Sequence, residues 1–174
     1  MFLKLVSSQV KVQNLLINNY VMHKMAEKKN DFMTEIQIRA IELLNGSLNL
    51  PANPNTPVNN LNFSISIESR ADTVNKLVFV IVHVEIKNDD LSAVFGTLSV
   101  SCIFEIVNFK DVIKIEADGK VNIPEQLTET LNSISISTTR GVMFSTFKGT
   151  FLHGAVLPVI DPKQFSGGSR RIEQ

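Results

Sequence analysis

The stretch LNFSISIESRADTVNKLVFVIVHVEI, residues 61–86, decides the fold class. Apolar residues stand at every second position from Leu61 to Ile67 and alternate with polar ones, a pattern typical of an antiparallel strand with one covered face. After the polar connection at 70–76, a second alternating run extends from Leu77 to Ile86. Both of its faces are apolar at the start, and one face turns polar at His83. This pattern predicts a strand that is buried on both faces near its beginning.

Two further stretches complete the predicted sheet. Residues 93–107 alternate again, and a turn at 88–90 links them to the preceding strand. Residues 35–39 also alternate, but the apolar residues at 41–44 break the phase, which indicates a bulge or bend. Three prolines between 51 and 57 then predict a loop. The three neighbouring strands with short links are typical of an antiparallel meander.

The period changes after the turn pair Asp118–Gly119. Pro124 and Glu125 suit the first turn of a helix, and Leu127, Leu131 and Ile134 follow at helical spacing. We therefore predict a helix from about 125 to 147, with Gly149 as its stop. The predicted fold class is α+β, with an antiparallel four-stranded sheet followed by a long helix.

The chain divides into three parts by its pattern. Residues 1–32 form an N-terminal extension whose apolar stripe predicts an amphipathic helix. Two interpretations of this part remain open: it belongs to the native protein, or Met33 is the natural start. Residues 33–166 form the main domain, and a short helix is expected at 162–165. The Gly-rich and basic residues of 167–174 predict a flexible tail.

Composition excludes several classes of function. Lys and Arg together number 17, as do Asp and Glu, so the formal net charge is zero and nothing favours nucleic acid or an anionic membrane. The longest apolar runs fall far short of the ~20 residues that a transmembrane helix needs, so no membrane insertion is expected. The single cysteine, Cys102, rules out an internal disulfide and fits a reducing compartment. We expect a cytoplasmic protein with Cys102 buried as a small apolar residue.

The sequence contains no set of residues that would support catalysis or bind a cofactor. The three histidines, His23, His83 and His153, are isolated from one another and from Cys102, so no metal site is expected. The nucleotide-binding and serine-hydrolase motifs are absent from the sequence. Glu125 and Glu129 are explained by the start of a helix. The sequence predicts no catalytic residues, no cofactor and no enzyme.

The segment FLHGAVLPVI, residues 151–160, is apolar without a regular period. Its proline prevents a regular helix or a central strand, so the segment must either cover apolar surface or present it. Under the first interpretation it caps the sheet. Under the second it walls an apolar groove, because exposed contiguous apolar surface marks protein interaction sites.

The order of these elements resembles the SecB export-chaperone family over residues 34–166. The local similarity lies in IQIR at 36–39 with LNLPANP at 48–54, and in TRGV at 139–142 with GTF at 149–151 and LPVIDP at 157–162. The resemblance implies a homo-oligomer built as a dimer of dimers. It also implies an ATP-independent holdase that binds unfolded or extended polypeptide in apolar grooves. The candidate groove residues, chosen because they are apolar and lie outside regular element interiors, are Leu48, Leu50, Phe151, Leu152, Val156, Leu157 and Phe165.

The tail limits how far the resemblance extends. Residues 167–174 contain neither Cys nor His and therefore lack the zinc-binding tail through which SecB engages the motor SecA. The resemblance thus predicts client binding without that contact. The alternative function is a dedicated partner-binding module, for example an antitoxin-type or other single-client SecB-like protein, with no general role in export.

Overall fold

A computed structural model describes residues 35–51, 60–89, 91–116, 121–165 and 171–173. Residues Thr34–Gln174 form one compact unit. The fold is α+β, with four long antiparallel strands followed by a long helix, as the sequence predicted. The helix predicted within residues 1–32 lies outside the described residues.

The main sheet is antiparallel throughout. Its long strands are β1 (Ile36–Leu48), β2 (Leu61–Asp72), β3 (Leu77–Asn88) and β4 (Val94–Ile106), and a short strand, β7 (Arg171–Glu173), is described below. The order across the sheet is β1-β4-β3-β2-β7. Strands β2, β3 and β4 form the predicted meander, whereas β1 pairs with β4 and not with its sequence neighbour β2.

Strand β1 bends where the apolar phase breaks. Its register against β4 shifts between Ile38 and Ala40, and again between Leu43 and Asn45. Each shift places an additional residue on β1, which is the geometry of a β-bulge. The predicted bulge is therefore confirmed, and its effect is to return Ile41 and Leu43 to the face that carries Ile36 and Ile38.

Short elements connect the sheet to the long helix. They are α1 (Phe109–Val112), β5 (Lys114–Ile115) and β6 (Val121–Asn122), and β5 pairs with β6. None of the three was predicted, because elements of two to four residues leave no period in the sequence. Within the described residues, no helix has the length and apolar character needed to cross a membrane.

The long helix α2 (Glu125–Thr146) confirms the predicted bounds within one residue. Pro124 precedes its first residue, and Gly149 follows it with a positive φ of 79°, which glycine adopts without strain. The helix packs on β3 and β4, the two central strands. The 3₁₀ turn at Pro162–Phe165 agrees with the short helix expected there.

One face of the sheet carries the core. Along β3, every second residue from Val78 to Ile86 is a buried valine or isoleucine. Their partners on β4 are also buried and lie directly opposite them, beneath α2. The segment after the helix contributes further buried side chains to the same layer. The fully buried side chains include Phe104, Leu98, Met143, Leu152 and Leu157. The other face is polar over much of its area, and we call it the open face.

A short strand lies within the tail predicted at 167–174. Arg171–Glu173 form β7, which pairs antiparallel with the outer edge of β2. Ile172 lies opposite Ile65 in this pairing. Sequence periodicity could not reveal a three-residue strand, since its pairing depends on a free sheet edge supplied by residues more than a hundred positions away.

Candidate functional site

The final residues of β1 lie beside the first residues of β4. The backbone N–H of Asn49 donates to the Phe95 carbonyl at 2.9 Å, and its side-chain amide donates to the Val94 carbonyl at 3.0 Å. These bonds hold Leu48 and Leu50 at one corner of the sheet. Their side chains are 39% and 80% exposed, respectively. Two of the predicted groove residues are therefore present at the surface, close together.

The segment after α2 packs against the same corner. The rings of Phe95 and Phe151 meet edge to face with centroids 5.7 Å apart. Next to Phe151, the side chain of Leu152 lies against Gly96, so closely that a Cβ atom on that glycine would stand 2.8 Å from Leu152 Cδ1. The structure thus brings Leu48, Leu50 and Phe151 to one place, which we call the apolar corner.

Three of the predicted groove residues do not reach the surface. Leu152, Leu157 and Phe165 are buried in the core beneath and beside α2. This corrects the expectation that they wall a groove, because a side chain with almost no accessible area cannot contact a bound polypeptide. The prediction failed here since an aperiodic segment gives no indication of which side chains point inward.

The segment 151–160 carries both buried and exposed apolar side chains. Arg140 on α2 secures it, donating from Nε to the Leu157 carbonyl at 2.9 Å and from Nη2 to the Pro158 carbonyl at 3.0 Å. Leu157 points into the core, whereas Val156 and Val159 are 60% and 92% exposed. The segment therefore covers the core with one set of side chains and presents apolar surface with another. Val159 was missed as a candidate.

A second missed residue lies on the helix itself. Phe144 is about half exposed, and its ring stands 5.3 Å from the imidazole of His153, centroid to centroid. Phe144 falls within the predicted helix and was not among the predicted groove residues. An aromatic residue off the buried stripe of an amphipathic helix was the available signal.

Strand β1 carries a separate apolar surface. Ile38, Ile41 and Leu43 lie opposite buried residues of β4, so they share the face that α2 covers over the central strands. Each of them is nevertheless about half exposed, as is Leu44 beside the second bulge. No described strand pairs with the outer edge of β1. We call these four side chains the edge strip.

The open face holds a polar groove of about 330 Å³ that crosses all four long strands. His83 stands in it, with Nδ1 2.8 Å from Ser99 Oγ and Nε2 3.9 Å from Glu68 Oε2. A serine, a histidine and a carboxylate occur together in hydrolases, but acyl transfer also needs free N–H donors for an oxyanion. Strand β4 is paired on both sides, so the N–H groups around Ser99 are engaged in the sheet. The groove lining is Asn45, Ser64, Ser66, His83, Val84, Glu85, Thr97, Leu98 and Ser99.

Titratable groups in the described part of the chain form no metal cluster of three or more His, Cys, Asp or Glu residues. Cys102 lies fully buried under α2, as the sequence predicted. Burial raises the pKa of its thiol above the ordinary value, and hydrogen bonds with Ser135 and Thr138 partly oppose that shift. A thiol in this environment is protonated and unreactive at neutral pH.

No family model and no curated protein sequence matches this chain. Among solved structures it is similar to a SecB-like chaperone of Mycobacterium tuberculosis in complex with a ChAD peptide from the HigA1 antitoxin. The TM-score is 0.45 at 14% sequence identity, and the match covers 71% of this chain and 83% of that one.

Proposed function

We propose that this chain is an ATP-independent holdase that binds unfolded or extended polypeptide through exposed apolar surface. The observation that carries the proposal is a set of strongly exposed apolar side chains, at the end of β1 and in the segment after α2. Leu50, Val156 and Val159 are each more than half exposed, and Val156 and Val159 each lie beside a buried apolar residue of the same segment. Exposed apolar surface of this kind marks a protein interaction site.

The chemistry of this surface suits an unfolded client. Aliphatic and aromatic side chains gain about 25 cal/mol per Å² of apolar area removed from water, whatever the sequence of the partner. The apolar corner presents such side chains, since Leu48, Leu50 and Phe151 are all apolar and uncharged. Binding of this type makes few demands on client sequence and needs no nucleotide.

We further propose that the edge strip joins two copies of the chain. A long apolar edge strand is a hazard that natural proteins cover or protect with charge. The bulge between Ile38 and Ala40 makes β1 nearly symmetrical, with Ile36 and Ile38 before it and Ile41 and Leu43 after it on the same face. A two-fold interface requires a self-complementary surface, and antiparallel pairing about the bulge would place Ile38 of one copy opposite Ile41 of the other. Two such dimers would form the dimer of dimers that the resemblance implies.

The proposed binding surface can be tested by replacing Leu50 of the apolar corner together with Val156 of the segment after α2, both of which are exposed. The double substitution Leu50→Ser and Val156→Ser removes apolar area from the surface and should weaken binding of a permanently unfolded test protein by about tenfold. Fluorescence anisotropy of the labelled test protein measures the dissociation constant directly. Leu157→Ser is unsuitable for this test, because Leu157 is buried and its loss would destabilise the fold.

A matched control lies at the opposite end of the sheet. Val74 in the turn between β2 and β3 is 86% exposed, and that turn adjoins the end of β4 farthest from Gly96. Val74→Ser should leave both stability and client affinity unchanged. Equal effects of the control and the double substitution would count against Leu50 and Val156 as parts of the binding surface. An unchanged dissociation constant in the double variant would do the same.

A further inference from the structure

Strand β7 occupies one edge of the main sheet with very few residues. It pairs three residues against the 12-residue strand β2, with Ser64 opposite Glu173 and Ser66 opposite Arg171. A pairing of this length is weak, since even complete two-stranded hairpins are marginally stable on their own. The edge of β2 is therefore closed by a contact that costs little to open.

The attachment of β7 keeps it near this edge. Phe165 is buried in the core, and five residues join it to Arg171. A binding segment tethered by a short linker is present at its site at an effective concentration of about millimolar. A strand that is weak by itself can thus occupy the edge for most of the time and still exchange readily.

The two halves of β2 differ in how their edge is protected. Glu68, Arg70 and Asp72 alternate along the half that β7 leaves uncovered, and Arg70 Nε donates to Glu68 Oε1 at 2.7 Å. Charged side chains of this kind prevent other strands from adding to an edge. The first half of β2, where β7 pairs with residues 64–66, contains Ile65 and its apolar and serine neighbours, without a charged residue from 61 to 67. Only this half is suited to accept a strand.

We propose that β7 is a displaceable occupant of the β2 edge, and that an extended segment of client polypeptide adds a strand there in its place. The inference rests on the proposed polypeptide-binding function and assigns it a second contact, distinct from the apolar corner. The occupant is identified by the contact already present: this edge accepts an extended backbone in antiparallel register. Strand addition of this type derives affinity from main-chain hydrogen bonds and is tolerant of sequence.

Competition between β7 and the client determines how much the removal of β7 should change client affinity. When the binding-competent state is a fraction f of the molecules, the apparent dissociation constant is the intrinsic constant divided by f. If β7 is paired in about 80–90% of molecules, its removal tightens client binding about five- to tenfold. The tail therefore acts as a built-in competitor that lowers client affinity.

The experiment compares the full chain with variants of the tail, using anisotropy of a labelled, permanently unfolded test protein. Deletion of residues 166–174 and the substitution Ile172→Pro should each tighten binding about fivefold, because proline removes an N–H and disfavours a strand. Ile172→Val, which keeps a β-branched side chain, should bind as the full chain does. A disulfide between Ser66→Cys and Arg171→Cys should weaken binding when oxidised and restore it on reduction, since Cys102 is buried and does not interfere.

The outcomes separate this inference from the proposed function. If the full chain, the deletion variant and the proline variant all bind the client with the same affinity, the inference is overturned and the holdase proposal still stands. Self-association of the deletion variant by light scattering, with unchanged client affinity, also overturns it, because β7 then serves only to protect the edge. If no variant binds the test protein, both proposals fail together.

Discussion

Gly96→Ala tests the packing that places the segment after α2 against the end of β1. A Cβ atom at position 96 would lie 2.8 Å from Leu152 Cδ1, 3.1 Å from the Ser47 carbonyl oxygen and 3.3 Å from Phe147 Cζ. Leu152 is fully buried and has little room to move, and the Ser47 oxygen belongs to the backbone. Overpacking of this kind typically destabilises a protein by about 1–3 kcal/mol. We expect a loss in that range for Gly96→Ala.

Urea unfolding followed by circular dichroism measures this loss, and two other glycines provide matched controls. An added Cβ at Gly46 would make only ordinary contacts, with its nearest atoms at 3.8 Å, so Gly46→Ala should change stability by less than about 0.5 kcal/mol. Gly141 lies within α2 and has no atom within 4 Å of an added Cβ, so Gly141→Ala should stabilise by about 0.5–1 kcal/mol. A Gly96→Ala protein as stable as the wild type would refute the described packing at the apolar corner.

Three further predictions concern single side chains. Arg140→Met keeps the aliphatic stem but loses two hydrogen bonds to carbonyls of the segment after α2, so the free energy of unfolding in urea should fall by about 1–3 kcal/mol; an unchanged midpoint would contradict the anchoring role. Hydrogen bonds from Asn75 and from the backbone N–H of Val74 lower the pKa of Asp72. Because the folded-state pKa is the lower one, Asp72 contributes stability above its unfolded value near 3.8, and the contribution is lost as the pH falls through the folded value. The stability difference between wild type and Asp72→Ala should therefore shrink on acidification below about pH 4, and a difference that persists there would be contrary evidence. Cys102 should react with a thiol reagent only after unfolding, and rapid labelling of the native protein would show that it is accessible.

The strands and the long helix could be predicted because their side chains repeat with a clear period. The alternation from Leu61 to Ile86 follows from a sheet with one covered face, and the helical spacing after Pro124 follows from packing on that face. Even the bulge in β1 was visible, since an additional residue shifts the apolar positions by one. These features are local, so a single sequence contains them.

The pairing of β1 and the fate of the apolar segment could not be predicted in the same way. Whether β1 lies beside β2 or β4 depends on contacts between residues some sixty positions apart. In the segment 151–160, Val156 and Leu157 are similar in composition and adjacent in sequence, yet one is exposed and the other is buried. Arg140 holds the backbone of this segment through the carbonyls of Leu157 and Pro158, and such contacts belong to tertiary structure. The candidate residues, which were chosen by apolar character alone, therefore included both surface and core residues.

The edge strip and the apolar corner are formed by different residues of the chain. The edge strip lies on β1 between Ile38 and Leu44, whereas the apolar corner begins at Leu48, where the strand ends. The proposed contact between copies and the proposed client surface therefore involve separate residues, so substitutions at the apolar corner should not change the oligomeric state.

The central claim is most directly tested by diluting a chemically unfolded protein into buffer with and without the full chain, in the absence of ATP. If the chain is a holdase, near-stoichiometric amounts of it should suppress light scattering from aggregation for several unrelated test proteins. The variant with Leu50→Ser and Val156→Ser should suppress aggregation less well, while Val74→Ser should do so as the full chain does. Undiminished aggregation with every test protein would contradict the holdase proposal, and capture of one dominant partner would then indicate a dedicated binding module.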